Sequence, residues 1–98
     1  MKSDRKRILA TLAQISPLLR KKYGVTKIGI FGSVARDQAG HDSDIDIVVE
    51  MYPDLFKRVC LKNELESILG KKVDVVRYRN RMNSFLKKRI DKEGLYVL

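Results

Sequence analysis

The sequence predicts an α+β domain: a small mixed β-sheet with helices packed on one face. Three observations lead there. Apolar, β-branched runs at residues 25–31, 44–50 and 72–78 have the length and alternation of strands. The stretches between them repeat apolar residues three and four apart, as amphipathic helices do. Glycine or proline stands at most of the joints, so each element is short and the order of elements can be followed. That order is two helices, a strand, a helix, a strand, a helix, a strand, a helix and a closing strand, which calls for helices packed against a sheet.

Residues 4–15 place Ile8, Leu12 and Ile15 at helical spacing, with Ser3 positioned as N-cap. Ser16-Pro17 reads as a new cap with proline at the first helical position, which predicts a second short helix to Tyr23, stopped by Gly24. "VTKIGIF" is the first strand and runs into Gly32-Ser33, where a short helix over "VARDQA" begins. "DIDIVVE" is the second strand, and the short connection predicts that it pairs antiparallel with the first. In residues 54–69, Leu55, Val59, Leu65 and Leu69 are assigned to one helix face, with Gly70 as the stop. "KVDVVRY" is the third strand. A last helix over about residues 82–92 turns Met82, Phe85, Leu86 and Ile90 inward, Gly94 caps it, and "LYVL" adds a short closing strand.

The 98 residues suit one compact domain over 1–98, and 44% hydrophobic with 34% charged residues is a globular composition. No apolar run approaches the roughly 20 residues that cross a bilayer, so no membrane partner is expected. The charged start "MKSDRKRILA" lacks a signal-peptide core, and a lone Cys60 forms no internal disulfide, so a reducing, cytoplasmic setting is expected. Cys60 itself reads as a structural cysteine on an apolar helix face. The net charge of +9 is unevenly spread. From Asp37 to Asp54 there are six acidic residues and no Lys or Arg, whereas Lys71 to Lys92 holds nine Lys/Arg against Asp74 and Asp91. An acidic pocket in a basic chain gathers cations locally while attracting polyanions overall.

The acids in that pocket carry the chemistry. Side chains alternate across a strand, so Asp44, Asp46 and Val48 share one face, and the two acids stand roughly 6.6 Å apart at Cα. Two carboxylates so close in a half-buried place repel unless a cation lies between them. Mg²⁺ fits, because it takes oxygen ligands, few protein carboxylates and substrate phosphates. If the third strand lies beside the second, Asp74 joins them, giving the minimal ligand set for two-metal phosphoryl transfer. Gly32 lets the backbone approach a ligand, and the N–H groups at the start of the helix, with the Ser33 hydroxyl, form a phosphate cradle.

"GS", then ten residues, then "DID" resembles the signature of the DNA polymerase β-like nucleotidyltransferase superfamily. The longer string "FGSVARD…SDIDIVV", with "KKVDVV" and "IDKEGLYVL", is similar to its smallest branch, the minimal nucleotidyltransferase (MNT) proteins. The resemblance implies a polymerase-β palm that moves a nucleoside monophosphate from an NTP and releases pyrophosphate. It implies that Gly32 and Ser33 hold the triphosphate, that Asp44 and Asp46 bind two Mg²⁺ (or Mn²⁺), and that Asp74 binds the catalytic metal and helps deprotonate the acceptor. Arg36 matches the family's arginine after the turn, in contact with phosphate or with the acidic loop. Asp37 stands where the family commonly has glycine, which leaves the loop's conformation open. His41 precedes the acids in a loop, with exposure to solvent weighed against contact with the nucleotide or acceptor.

With the palm filling the chain, the acceptor is expected on a partner. The resemblance implies a HEPN-type RNase toxin, silenced when this antitoxin transfers AMP from ATP onto it. Two alternatives stand beside that: a non-catalytic antitoxin that works by binding alone, and a nucleic-acid-binding module built on the basic 71–92 stretch. The sequence leaves open the NTP preference and the oligomeric state, homo-oligomer included.

Overall fold

A computed structural model describes residues 4–38 and 43–97. Its elements are α1 (Asp4–Tyr23), β1 (Lys27–Phe31), α2 (Gly32–Ala35), β2 (Ile45–Glu50), α3 (Leu55–Leu69), β3 (Val73–Arg77), α4 (Ser84–Glu93) and β4 (Leu95–Tyr96). The strands form one mixed sheet in the order β3-β2-β1-β4. β1 is antiparallel to β2 and β4, and β2 is parallel to β3. The expected sheet is therefore present, including the antiparallel first pair and the short closing strand. The first three strands are trimmed by a residue or two at their ends, which leaves Asp44 just outside β2, and the short helix spans Gly32–Ala35, earlier than the expected "VARDQA".

Alternation along the strands divides the molecule into two faces. Ile28 and Ile30 of β1, Ile45, Ile47 and Val49 of β2, and Val73 of β3 join the main core with α1 and α3. Phe31 and Val48 point the other way and form a second cluster with Ile90 of α4. The two long helices thus share one face and α4 crosses the opposite one, so the expectation of helices on one face alone does not hold. Handedness explains this. β2→β3 steps toward one edge of the sheet, whereas β3→β4 steps back across it between strands of the same direction. Crossovers of one hand that step in opposite senses must use opposite faces.

The first two predicted helices are one. Ile8, Leu12, Ser16, Leu19 and Tyr23 make a continuous buried stripe, and Pro17 lies inside α1. Proline cannot donate to the carbonyl four residues back. Here Ser16 Oγ donates to Ala13 O at 3.0 Å, giving that carbonyl the partner that Pro17 cannot supply. A serine–proline pair that looks like a helix start is instead a repair within a helix.

On α3 the inward residues are Leu61, Leu65 and Leu69, whereas Leu55 and Val59 are exposed, so that part of the face assignment does not hold. At about 100° per residue they sit roughly 80° and 120° around the helix from Leu65. Asp54 caps this helix by accepting from Lys57 N–H at 2.9 Å, and Gly70 ends it in the left-handed region, φ 70°. Cys60 is half-buried against the main core, as expected for a structural cysteine. Lys22 and Tyr23 at the end of α1 both donate to Glu64 of α3, at 2.8 and 2.5 Å, tying the two helices together. On α4, Ile90 is buried and Leu86 packs beside it, but Phe85 is 79% exposed and is not an inward residue.

These faces make a direct test. Leu65→Ala is expected to lower unfolding free energy by about 2–5 kcal/mol in denaturant titrations, the usual range for a buried leucine. Phe56→Ala, at a side chain 78% exposed, should change it by under about 0.5 kcal/mol.

Candidate active site

β1 and β2 bring the glycine turn against the first strand acid. Phe31 is the register partner of Asp46, and Gly32 follows it directly. Gly32 has φ +72°, and a Cβ there would overlap the Asp46 carboxylate and lie 3.5 Å from Arg89 Nη2. Glycine is required twice over, for backbone conformation and for space. Ser33 is half-buried beside it, and its carbonyl accepts from Gln38 N–H at 2.8 Å, closing the turn after α2. Arg5 of α1 donates to Ala35 O at 3.2 Å and holds the far end of the same segment.

Asp46 and Asp74 are register partners on parallel strands, so their Cα atoms stand about 4.8 Å apart, the spacing of neighbouring strands. Both lie on the α4 face, the face of Val48 and Val76. Asp46 is half-buried, Asp74 is exposed, and Asp44 is exposed one residue ahead of the strand. Burial pushes the Asp46 carboxyl above its ordinary pKa, and the Asp74 charge adds to this, followed by that of Asp44, while Arg89 and Arg36 oppose the shift. The predicted acids therefore share one electrostatic site. Among the described residues, however, no three Asp, Glu, His or Cys side chains are gathered into a ready-made metal cage. The donor set fits a hard divalent ion held by few carboxylates: two adjacent oxygen ligands whose repulsion a cation would relieve.

Arg36 is held beside the glycine turn by a residue that sequence reasoning missed. Its Nη1 donates to both carboxylate oxygens of Glu93, at 2.9 Å each, and its Nε donates to Gln38 Oε1 at 3.2 Å. Glu93 Oε2 also accepts from Gly32 N–H at 3.2 Å. One turn earlier on α4, Arg89 spreads over the Phe31 ring at 5.9 Å and faces Asp46. Both are brought here only when α4 crosses the sheet. Glu93 stands in the "IDKEGLYVL" string that carries part of the resemblance, and its four-residue spacing from Arg89 on a helix was a second hint.

Asp37 resolves the loop left open above. It has φ 60°, the left-handed conformation that glycine adopts most readily and that Asp tolerates. His41, like Ser3, lies outside the described residues.

Two outcomes follow from these geometries. Asp37→Val should cost about 1–2 kcal/mol in thermal or chemical unfolding, because a β-branched residue fits the left-handed region poorly, whereas Asp37→Gly should be tolerated. For Asp46, a pKa raised by folding means that the folded chain binds the proton more tightly than the unfolded chain. Metal-free stability attributable to this group is then full below the ordinary aspartate range and falls as pH rises through the raised value. Asp46→Asn should therefore melt above the parent protein near neutral pH without metal, and the difference should close in acid.

Comparison with known proteins agrees with this geometry. Residues 12–97 match the family model described as a nucleotidyltransferase domain. The chain is 42% identical over 81 residues to the protein adenylyltransferase MntA of Thermococcus cleftensis, covering 81% of each chain. Among solved structures it resembles a chain of a toxin–antitoxin complex with AMP-PNP, at 30% identity and TM-score 0.73, covering 87% of this chain and 70% of that one. It also resembles a chain of the complex of a tri-AMPylated Shewanella oneidensis HEPN toxin with its MNT antitoxin, at 26% identity and TM-score 0.68, covering 96% and 71%. The glycine turn, the acids beside it and these likenesses agree: the chain belongs to the nucleotidyltransferase domain family.

Proposed function

We propose that this chain moves AMP from ATP to a hydroxyl of a HEPN-type partner protein and so acts as the antitoxin that silences it. The observation that carries this reading is the packing of Gly32 against Asp46 with Asp74 alongside, which puts a phosphate-facing turn and paired carboxylates at one point. Support for the nucleotide and the partner comes from the AMP-PNP complex and from the AMPylated HEPN toxin among its structural neighbours. The reading takes residues 1–98 as one nucleotidyltransferase domain. A free, half-buried Cys60 supports a reducing, cytoplasmic setting, and among the described residues no helix is long and apolar enough to cross a membrane.

In this reading the Gly32 N–H, the Ser33 hydroxyl and the Arg36 guanidinium receive the triphosphate tail, each as a donor to ionised oxygen. Asp44, Asp46 and Asp74 would hold the divalent ions. Bound Mg²⁺, or Mn²⁺ on the same oxygen donors, supplies positive charge to the attacking and leaving oxygens. Asp74, the more exposed of the register pair, faces the acceptor and takes the hydroxyl proton on a carboxylate oxygen. The acceptor oxygen bonds to the α-phosphorus, the bond to the bridging oxygen breaks, and pyrophosphate leaves with that electron pair.

The test is mass spectrometry of a HEPN-type partner incubated with this protein, ATP and Mg²⁺, which should gain the mass of AMP on a hydroxyl side chain. Asp74→Asn should slow transfer by about 10²-fold or more while nucleotide binding persists. Mg²⁺ should raise the melting temperature of the parent protein and not that of Asp46→Asn. Neutralisation of the partner that survives alanine at both Asp44 and Asp46 would assign the effect to binding alone.

A further inference from the structure

We infer that Glu93 is an internal anion occupying the place of the nucleotide's polyphosphate, so that α4 holds the nucleotide-free site closed and triphosphate must displace it. The inference rests on the preceding reading of Gly32 and Arg36 as phosphate donors. Both of those donors converge on one carboxylate: Gly32 N–H on Oε2, and Arg36 Nη1 on both oxygens. An oxyanion already sits where the triphosphate is read to bind, held as a phosphate oxygen would be.

The position of Glu93 is otherwise a poor one for an anion. It is the last residue of α4, where the helix carbonyls present partial negative charge and disfavour a carboxylate. Its hold there depends on the two donors, and ligand phosphate competes for both. Gly32 therefore has a carboxylate on two sides, Glu93 at its N–H and Asp46 where a Cβ would stand. Arg89, four residues earlier on the same helix, acts on the Asp46 charge and comes within 3.5 Å of the space that a Gly32 Cβ would take. α4 therefore sets a cation against the strand acid and an anion against the phosphate donors. The acids Asp44, Asp46, Asp74 and Glu93 still outnumber the guanidinium groups of Arg36 and Arg89, and a nucleotide carrying divalent cations replaces both contacts. Glu93 is 17% exposed at its side chain and Arg36 is 40% exposed, so the contact is at the rim of the site, where a ligand has access.

Glu93→Gln separates this role from a purely structural clamp. Glutamine keeps the size and can still accept from Gly32 N–H and Arg36, but removes the negative charge. Calorimetric titration of the full chain with a nonhydrolysable ATP analogue, and separately with inorganic tripolyphosphate, both with Mg²⁺, should show tightening of about tenfold, as expected when a competing closed state is removed. Adenosine, which has no phosphate to compete, should bind the two proteins equally. Glu93→Asp, which keeps the charge and withdraws it by one methylene, should shift triphosphate affinity in the same direction. Unchanged or weaker triphosphate binding in both variants overturns the inference, as does an equal gain for adenosine, which would mark a general loosening of the site. AMP transfer to the partner alongside unchanged binding sinks this inference and leaves the proposed function standing. Absence of triphosphate binding in every protein tested sinks both.

Discussion

The site depends on a contact in which something is missing: Gly32 has no side chain, and the Asp46 carboxylate fills the space that a Cβ would take. That contact is fixed by register. Lys27↔Glu50 through Phe31↔Asp46 pair the two strands, so the chain leaves β1 at the level of the acid and turns past it. A slip of one residue would turn Ile45 and Ile47 toward the acid face and drive Asp46 into the core between the sheet and the long helices. The burial of Ile45, Ile47 and Val49 therefore holds the catalytic geometry as firmly as any polar contact does. Packing on one face sets the chemistry on the other.

The opposite face would be a poor place for such chemistry if it were open to water. Carboxylates on an uncovered sheet titrate close to their ordinary values and attract cations weakly, because bulk solvent screens them. α4 changes this by crossing over Phe31 and Val48 with Ile90. The cover desolvates Asp46 and leaves Asp74 at the rim, so two acids of the same type have different environments: one raised and half-buried, the other in water. Tyr78 reinforces the crossing, since its hydroxyl donates to Asp91 Oδ1 at 2.8 Å and links the strand exit to the helix. Stability given up at Asp46 is what makes a cation welcome there.

Much of this was legible in the sequence wherever local rules decide. Strand alternation placed Asp46 and Val48 on one face because period two is set by backbone geometry alone, whereas Asp74 joins them only because the third strand pairs beside the second. The glycine-serine turn was legible through its spacing from the acids that follow, and the φ of +72° at Gly32 adds a conformational reason for glycine there. Misreadings arose where a contact outside the signal itself overrode it. Pro17 looked like a helix start until Ser16 Oγ took up the Ala13 carbonyl. Leu55, Val59 and Phe85 were turned inward on apolarity alone, yet the helix phase is set by Leu61, Leu65, Leu69 and Ile90, which meet the sheet. Arg89 and Glu93 stayed hidden for the same reason. Their place beside Gly32 follows from the sense of a crossover, a property of the sheet and not of their own segment.

The two faces are also unequal in strength, and this bears on how the site works. Among the described residues, the face under α1 and α3 buries most of the core, whereas the face under α4 buries Phe31, Val48 and Ile90. Segments with few buried apolar contacts open at lower free energy than the rest of a fold. α4 is also tied to the glycine turn by the Arg36–Glu93 pair, which is partly exposed and weaker than a buried contact would be. An element that covers the acids, reaches the phosphate donors and is held by a small apolar cluster with a rim ion pair can shift without disturbing the strands beneath it. The register that fixes Gly32 against Asp46 is anchored from the other side of the sheet. The fold thus separates what must stay rigid, the turn and its acid, from what must yield when a ligand enters.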